Sequence, residues 1–339
     1  MGFDFKFITK EKLSVGLDIG TQSIKMVSLR LDREKAELCD FALEPSQPQP
    51  LSQALKRITQ LQEAKRVNVS LSGLSTVTRY VAFPKMSVEE LRQALKFEAQ
   101  KHIPFTLSEV NMDAQIIKEG LADNKMLVLI AAAKKDAIER RLKDLEAADL
   151  KANLVDIDSI ALLNAFNFNY AAELAPKHKV TALLNVGSQV SNLNIMESGV
   201  PRFSRDIHIA GHNFSQKIAD VMGLDFNAGE KSKINAEKES TDDKIKAAVE
   251  SVFTNLAGEI RNSFDYYESQ NTSSVEKIFL SGGGSKLYGF KDMLAKFLGI
   301  TADYWDPFKV ITLSAKTDSA KIKESSSELA VAVGLALRQ

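Results

Sequence analysis

Two short polar segments repeat the same order of residue types and are the first candidates for chemistry. One spans residues 18–22 (DIGTQ) and the other residues 185–189 (NVGSQ), and each lies between two apolar runs. This pattern predicts a strand, a tight turn and a second strand. Backbone amides and hydroxyl groups gathered at such a tip can surround an anion. The repeat therefore predicts that the chain contains the same anion-binding hairpin twice.

A glycine-rich turn is the third candidate. The apolar run 275–280 leads to Ser281 and then to Gly282, Gly283 and Gly284, and a helical pattern begins near Phe290. Glycine allows close backbone approach, and the amides at a helix start attract anions. This arrangement suits a phosphate or a nucleoside, although the pattern taken alone also describes an ordinary turn.

Other kinds of chemistry find little support in the residues. His102, His178 and His208 have no cysteine or carboxylate at the spacing of metal ligands, so we interpret them as structural or surface residues. No Ser-His-Asp or Cys-His arrangement can be built. Cys39 is the single cysteine, which favours a reducing compartment.

Composition narrows the class of protein. The chain has 339 residues, enough for about two domains. Lys plus Arg (44) equal Asp plus Glu (44), so we expect no nucleic-acid partner. The longest apolar stretch, residues 126–133, falls well short of the ~20 residues that cross a bilayer. We therefore expect a cytoplasmic protein.

The pattern of strands and helices predicts a mixed α/β chain in three parts. Lobe 1 is assigned to residues 1–83 and 151–178, an inserted subdomain to 84–150, and lobe 2 to 179–339. Within the insertion, Ser87 and Glu90 match a helix capping box. The charged segment 223–240 is interpreted by default as a solvated loop, and 314–327 as a surface loop.

One short N-terminal pattern has two interpretations. Phe3, Phe5 and Phe7 alternate with polar residues. Period-two alternation predicts a short edge strand, with a weak contact to a membrane surface as the alternative.

Taken in this order, the hairpins and the glycine turn resemble the superfamily of actin, Hsp70 and sugar kinases. Four blocks are similar, more narrowly, to the PilM family of type IV pilus assembly proteins: residues 15–25 (VGLDIGTQSIK), 97–105 (FEAQKHIPF), 280–290 (LSGGGSKLYGF) and 330–338 (AVAVGLALR). The resemblance covers almost the whole chain. It implies a duplicated, two-lobed actin-like (ribonuclease-H-like) ATPase fold with the inserted subdomain typical of FtsA and PilM.

The resemblance implies ATP and Mg²⁺ as cofactors. Asp18 would hold Mg²⁺ through water, and Asn185 stands where the family usually has an aspartate that helps to orient Mg²⁺ and water. Because asparagine lacks the negative charge, we expect weak or absent ATPase activity with binding less affected. The implied nucleotide contacts are Asp18, Gly20, Thr21, Gln22, Ser23, Lys25, Gly187, Ser188, Gln189, Glu230, Lys233, Gly282, Gly283 and Gly284.

The residues alone leave two of these assignments open. Asp18 could instead cap its own turn in a purely structural hairpin. Glu230 and Lys233 resemble the Glu-x-x-Lys element that holds ribose and adenine, but they lie in the segment interpreted as solvated.

The resemblance also implies partners. The insertion and the neighbouring lobe would form a groove for the N-terminal cytoplasmic tail of PilN, an inner-membrane pilus protein. The protein would then lie at the cytoplasmic face of the bacterial inner membrane, held there by its partners. Other pilus platform proteins and self-association are further expectations.

Two other functions share the fold. An FtsA-like division protein is expected to carry an amphipathic membrane helix after a linker, whereas this sequence stops directly after its last apolar helix. A small-molecule kinase needs a carboxylate base in the cleft. Asp156 and Asp158 are near the right place, but we interpret them as a strand-to-helix turn in which Asp158 or Ser159 caps the helix.

Overall fold

The computed structural model describes residues 12–32, 35–60, 65–174, 179–235, 242–315 and 317–338. Within these ranges the strands are β1 (Lys12–Ile19), β2 (Ser23–Asp32), β3 (Lys35–Pro45), β4 (Arg66–Leu71), β5 (Thr76–Pro84), β6 (Val110–Leu121), β7 (Lys125–Lys134), β8 (Lys151–Ile157), β9 (Val180–Val186), β10 (Ser191–Glu197), β11 (Val200–Ile207), β12 (Lys277–Ser281), β13 (Thr301–Tyr304) and β14 (Thr312–Leu313). The helices are α1 (Leu51–Gln60), α2 (Val88–Glu98), α3 (Lys135–Glu146), α4 (Asp158–Leu174), α5 (Gly211–Met222), α6 (Phe226–Asn235), α7 (Asp243–Ser269), α8 (Phe290–Leu298), α9 (Ser319–Ser325) and α10 (Ala330–Ala336). The alternating phenylalanines 3, 5 and 7 and His178 lie outside the described residues.

The first sheet brings three strand ends to one edge. Its strand order is β14-β3-β2-β1-β4-β8, with β1 antiparallel to β2 and parallel to β4, and with β4 parallel to β8. Parallel strands finish at the same edge of a sheet. The residues that follow β1, β4 and β8 therefore meet, although they are far apart in sequence.

The second sheet repeats the hairpin of the first. Its order is β11-β10-β9-β12-β13, with β9 and β10 antiparallel and β9 and β12 parallel. The Gly20 amide donates to the Ser23 carbonyl at 3.1 Å, and the Gly187 amide donates to the Val190 carbonyl at 3.0 Å. A Cβ atom on either glycine would lie within 2.8 Å of that same carbonyl oxygen. The repeat in the sequence is therefore a repeat of one turn geometry.

The insertion is a three-stranded sheet of order β5-β7-β6, covered by α2. The capping box is confirmed, because the Ser87 side chain accepts from the Glu90 amide and the Glu90 side chain accepts from the Ser87 amide. Our boundary at residues 83 and 84 is corrected, since β5 pairs along its whole length with β7. The insertion sheet begins at Thr76, because the ladder partner of that strand lies in the insertion and not in the first sheet.

The C-terminal part of the chain returns to the first sheet, so its assignment to lobe 2 is corrected. Strand β14 pairs with β3, and α10 packs on β1 and α4. All residues of α10 are buried. A helix that is apolar all round needs neighbours on every side, and it finds them in lobe 1. The segment 314–327 also differs from the expected loop, because it contains α9, which is capped by Asp318.

Among the described helices, none is both long and apolar enough to reach across a bilayer.

We predict that Gly334→Ala destabilises the protein while Gly258→Ala stabilises it. A Cβ atom at Gly334 would lie 1.8 Å from the carbonyl oxygen of Ala161 in α4, whereas one at Gly258 in α7 would meet nothing within 4 Å. Alanine is favoured over glycine in a helix by about 1 kcal/mol, but overpacking a core costs about 1–3 kcal/mol or more. Urea unfolding should show a loss of about 2 kcal/mol for the first variant and a gain approaching 1 kcal/mol for the second. Equal effects would contradict the tight contact between α10 and α4.

Candidate functional site

The two hairpin tips and the glycine turn open onto one cavity of about 1020 Å³. Every residue that the sequence analysis selected for nucleotide, Mg²⁺ or water lines this cavity, from Asp18 in β1 to Gly284 after β12. Residues of both large sheets and of α6 form its walls. The structure therefore collects side chains from four separate stretches of the chain into one site.

The first hairpin presents a charged pair. Asp18 and Lys25 are opposite each other on β1 and β2, and the Lys25 Nζ lies 3.1 Å from the Asp18 Oδ2. Burial lowers the pKa of Lys25, but the Asp18 carboxylate, together with Glu328 and Asp158, holds that pKa above its ordinary value. The Ser46 hydroxyl donates to the Gly20 carbonyl at 2.7 Å and braces the tip. The Asp18 carboxylate is thus fixed at the cavity wall with a cation beside it.

The second hairpin presents neutral amides at the equivalent positions. Asn185 and Asn192 are opposite each other, and the Asn185 Nδ2 donates to the Asn192 Oδ1 at 3.2 Å. The Asn185 Oδ1 accepts from the Ser281 hydroxyl at 3.2 Å. Asn192 in turn donates to Asp206 at 2.7 Å. Asn185 therefore uses its amide both as a donor and as an acceptor, and a carboxylate at this position would have no donor toward Asn192.

Two of the three glycines after β12 are required by close packing. Gly282 has φ of +87°, and a Cβ atom there would lie 2.3 Å from the Val186 carbonyl oxygen. A Cβ atom on Gly284 would lie 2.9 Å from the Gly187 carbonyl oxygen. At Gly283 the nearest atoms are 3.5 Å away, on the Glu328 side chain. The glycine turn is therefore pressed against the second hairpin, and Gly283 keeps a bare backbone facing the cavity.

Residues 226–235 of the charged segment form a docked helix, α6, which corrects our default interpretation of that part as a solvated loop. Glu230 in α6 accepts hydrogen bonds from the Ser215 hydroxyl and from Lys233, the latter at 2.8 Å. The Lys233 Nζ also lies 3.3 Å from the Gly211 carbonyl oxygen. Gly229 allows this contact, because a Cβ atom there would lie 2.5 Å from the Ser215 carbonyl oxygen. The glycine within the charged run was the signal that could have predicted docking.

Asp158 is a cavity residue that sequence reasoning assigned only to a helix cap. It begins α4 directly after β8 and is partly buried in the cavity wall. Burial and the nearby Asp18 charge raise the pKa of Asp158 to about 7, against hydrogen bonds from Ser70 and Ser72 that favour the ionised form. The parallel pairing of β8 with β4 brings Asp158 to the edge of the sheet where β1 ends, and no local sequence pattern shows this pairing. The neighbouring Asp156 instead forms an ion pair with Arg338 at 3.0 Å.

Histidine and acidic side chains are the residues of this site that could ligate a metal ion. His208 lines the cavity, and His102 packs against the Phe83 ring with centroids 6.1 Å apart. Over the described ranges, no group of three or more His, Cys, Asp or Glu side chains is arranged to hold a metal ion. A hard cation here would take ligands from a bound phosphate and from water as well as from Asp18.

Comparison with known proteins gives consistent matches. A sequence model of the type IV pilus assembly protein PilM matches residues 16–339. A solved PilM-PilN type IV pilus biogenesis complex is similar with a TM-score of 0.86 and 27% identity, over 97% of this chain and 99% of that chain. The ethanolamine utilization protein EutJ from Carboxydothermus hydrogenoformans shares the fold with a TM-score of 0.55 and 14% identity, over 97% of this chain and 90% of that chain.

We predict that Asp158→Asn raises stability by an amount that grows with pH. The folded state holds the Asp158 proton more tightly than the unfolded chain does, so wild-type stability falls as pH rises from about 4 to about 7. Asparagine does not titrate, and the variant should gain about 3 kcal/mol over the wild type across this window. Urea unfolding at several pH values measures the difference. The same substitution at the exposed Asp113 in β6 is the control, and a gain independent of pH at Asp158 would contradict the assignment.

Proposed function

The chain belongs to the PilM family of type IV pilus assembly proteins, and on this premise we propose that it is an ATP-binding scaffold that takes the N-terminal cytoplasmic segment of PilN. The predicted family is confirmed, and so is the predicted two-lobed actin-like α/β fold. The observation that carries the proposal is the convergence of both hairpin tips and the glycine turn on one cavity. These three turns are the parts of the chain that can approach phosphate with bare backbone amides.

The residues present fit a nucleoside triphosphate. The cavity of about 1020 Å³ matches the upper end of the range for small-molecule sites, roughly 300–1,000 Å³. The Ser188 hydroxyl is shielded from solvent and has no hydrogen-bond partner within the described residues. A buried hydroxyl without a partner is costly, and a phosphate oxygen would satisfy it. Gly283 leaves room for a ligand to approach the backbone at the other side of the cavity.

We assign the phosphates and the nucleoside to opposite ends of the cavity. We assign the amides and hydroxyls of the hairpins to the phosphates, with Asp18 oriented toward hydrated Mg²⁺ and Lys25 holding that carboxylate in place. When bound, Mg²⁺ offsets the charge of the phosphate oxygens. We assign Glu230 and Lys233 to the ribose and adenine, together with the glycine turn.

Hydrolysis is expected to be slow or absent. Asn185 offers hydrogen bonds but no negative charge, and both ends of its amide are already engaged by Asn192 and Ser281. Changes of this kind around a metal typically cost about 10- to 100-fold in affinity or activity. Asp158 lies in the cavity, but its raised pKa reflects burial beside Asp18 and does not replace the missing charge of the second hairpin.

The insertion is the proposed location of the PilN contact. The similar solved structure is a complex of PilM with PilN. Here the insertion has its own hydrophobic core, and β6 is an edge strand of the described sheet, which suits the binding of an extended peptide. Phe97 in α2 is 78% exposed, which is unusual for a large aromatic side chain. Through PilN the protein would lie at the cytoplasmic face of the inner membrane, while contacts with other platform proteins and self-association stay predictions.

We predict that the purified chain binds ATP with Mg²⁺ and releases little phosphate. Asp18→Ala should abolish measurable binding in calorimetric titration, because it removes the carboxylate and leaves Lys25 without its partner. Asp113→Ala, on the exposed face of the insertion, is the control and should bind like the wild type. Absence of binding by the wild type would overturn the nucleotide part of the proposal, and rapid phosphate release would overturn the interpretation of Asn185.

We predict that a peptide of the N-terminal cytoplasmic segment of PilN binds the chain and that Phe97→Ala weakens it roughly fivefold or more, as loss of an aromatic anchor does at interfaces. Fluorescence anisotropy of the labelled peptide measures the affinity. Phe297→Ala is the matched control, since Phe297 is also partly exposed but lies on α8 of the second lobe. Equal losses for both variants would place the peptide away from the insertion.

A further inference from the structure

Arg141 is a basic residue of the cavity whose charge has no carboxylate partner. The cavity wall contains other Lys and Arg side chains, and each of these forms an ion pair: Lys25 with Asp18 at 3.1 Å, Arg140 with Asp136 at 3.1 Å, Lys233 with Glu230 at 2.8 Å and Lys286 with Glu328 at 2.6 Å. Arg141 forms no ion pair within the part of the chain that the structure describes. Its guanidinium donates only a long hydrogen bond, 3.4 Å, to the Ile19 carbonyl oxygen.

Arg141 lies at the end of the cavity where β1 finishes. Its contact, Ile19, is the residue directly after Asp18, and the carboxylates of Asp158, Asp18 and Asp144 act on its charge. Burial lowers the pKa of Arg141, but a guanidinium stays protonated at neutral pH. The site therefore holds a charged fork with unused donors beside the first hairpin.

The proposed nucleoside contacts lie at the other side of the cavity. Glu230 and Lys233 are bonded to α5, beside the glycine turn. A nucleotide with its nucleoside there would extend its phosphates toward the first hairpin. The last phosphate of a triphosphate is the group that would come closest to Arg141, and a diphosphate would lack it.

The helix that carries Arg141 is continuous with the insertion. Strand β7 is the central strand of the insertion sheet and ends at Lys134, and α3 begins at Lys135 with no intervening loop. Ala137 and Leu145 of α3 are buried, so the helix is fixed by packing at both ends. A ligand that binds Arg141 therefore contacts a segment, β7 and α3, that includes the central strand of the insertion sheet.

We infer that Arg141 binds the terminal phosphate of a nucleoside triphosphate and so lets the inserted subdomain distinguish ATP from ADP. The inference rests on the proposed function, because it needs a nucleotide in the cavity, and it adds the residue and the structural link. Arginine and phosphate form paired, charge-assisted hydrogen bonds. A ligand can shift a structural element only through interactions that differ between its states, and this contact would supply such a difference.

Calorimetric titration of the full chain with MgATP and with MgADP tests the inference. Arg141→Gln should lower the affinity for MgATP roughly tenfold and leave the affinity for MgADP close to the wild-type value, since only the triphosphate loses a contact. Lys143→Gln is the matched control, because Lys143 is an exposed basic residue of the same helix α3 and is not part of the cavity wall. It should leave both affinities unchanged. Arg141→Lys keeps a charge without the fork and should fall between wild type and Arg141→Gln.

Amide hydrogen exchange gives a second readout that a local loss of affinity would not change. In the wild type, β5, β6 and β7 should exchange differently with saturating MgATP and with saturating MgADP. In Arg141→Gln, at saturation with each nucleotide, this difference should disappear.

The possible outcomes are distinguishable. If the wild type binds neither nucleotide, the proposed function fails and this inference fails with it. If the wild type binds both and Arg141→Gln weakens both equally or neither, only the assignment of Arg141 is overturned. If thermal unfolding shows that Arg141→Gln is not folded, Arg141→Lys decides, and an unchanged ratio of MgATP to MgADP affinity in that variant overturns the inference.

Discussion

Helix α10 packs against β1 and α4 at backbone distance, and the geometry of the cavity depends on this contact. A Cβ atom on Gly16 would lie 2.1 Å from the Ala332 carbonyl oxygen, and one on Gly334 would lie still closer to α4. The end of the helix is also held by polar contacts, since the Asn68 side chain donates to the Leu335 carbonyl oxygen at 2.9 Å. Strand β1 carries Asp18 and α4 begins with Asp158. Helix α10 thus packs on both elements that carry the two carboxylates to the cavity.

The two hairpins share a backbone and differ in charge. Both tips need glycine because a carbonyl oxygen closes over the turn, and both strand pairs place one polar side chain opposite another at the cavity wall. In the first hairpin this pair is Asp18 with Lys25, and in the second it is Asn185 with Asn192. The backbone amides that can hold phosphate are kept twice, whereas the carboxylate that would help to position Mg²⁺ and water is present once. This difference is the physical basis for the proposed slow turnover.

The insertion is connected to the cavity at both of its ends. Before β5, the Gly73 amide donates to Asp206 at 2.8 Å, and Asp206 also accepts from Asn192 of the second hairpin. After β7, α3 carries Arg141 to the end of β1.

Asp158 lines the cavity, where a small-molecule kinase would need its carboxylate base. The match to the PilM family, and not the absence of a carboxylate, therefore distinguishes a pilus assembly protein from a kinase here, since one fold hosts scaffolds and enzymes alike.

The sequence by itself determined the local features: both hairpin tips, the glycine turn after β12, the capping box at Ser87 and the family. Each structural feature depends on residues within a few positions of one another, where turn geometry and capping restrict the residue types, and the family was indicated by four such short blocks. The tertiary structure decided the rest. Asp158 and Arg141 reached the cavity because the ends of parallel strands and a packed helix bring distant segments together, and no local pattern records that. Pairing with β7 assigned β5 to the insertion, and burial on all sides assigned α10 to lobe 1. Such choices are made by long-range pairing and packing, which a single sequence does not display.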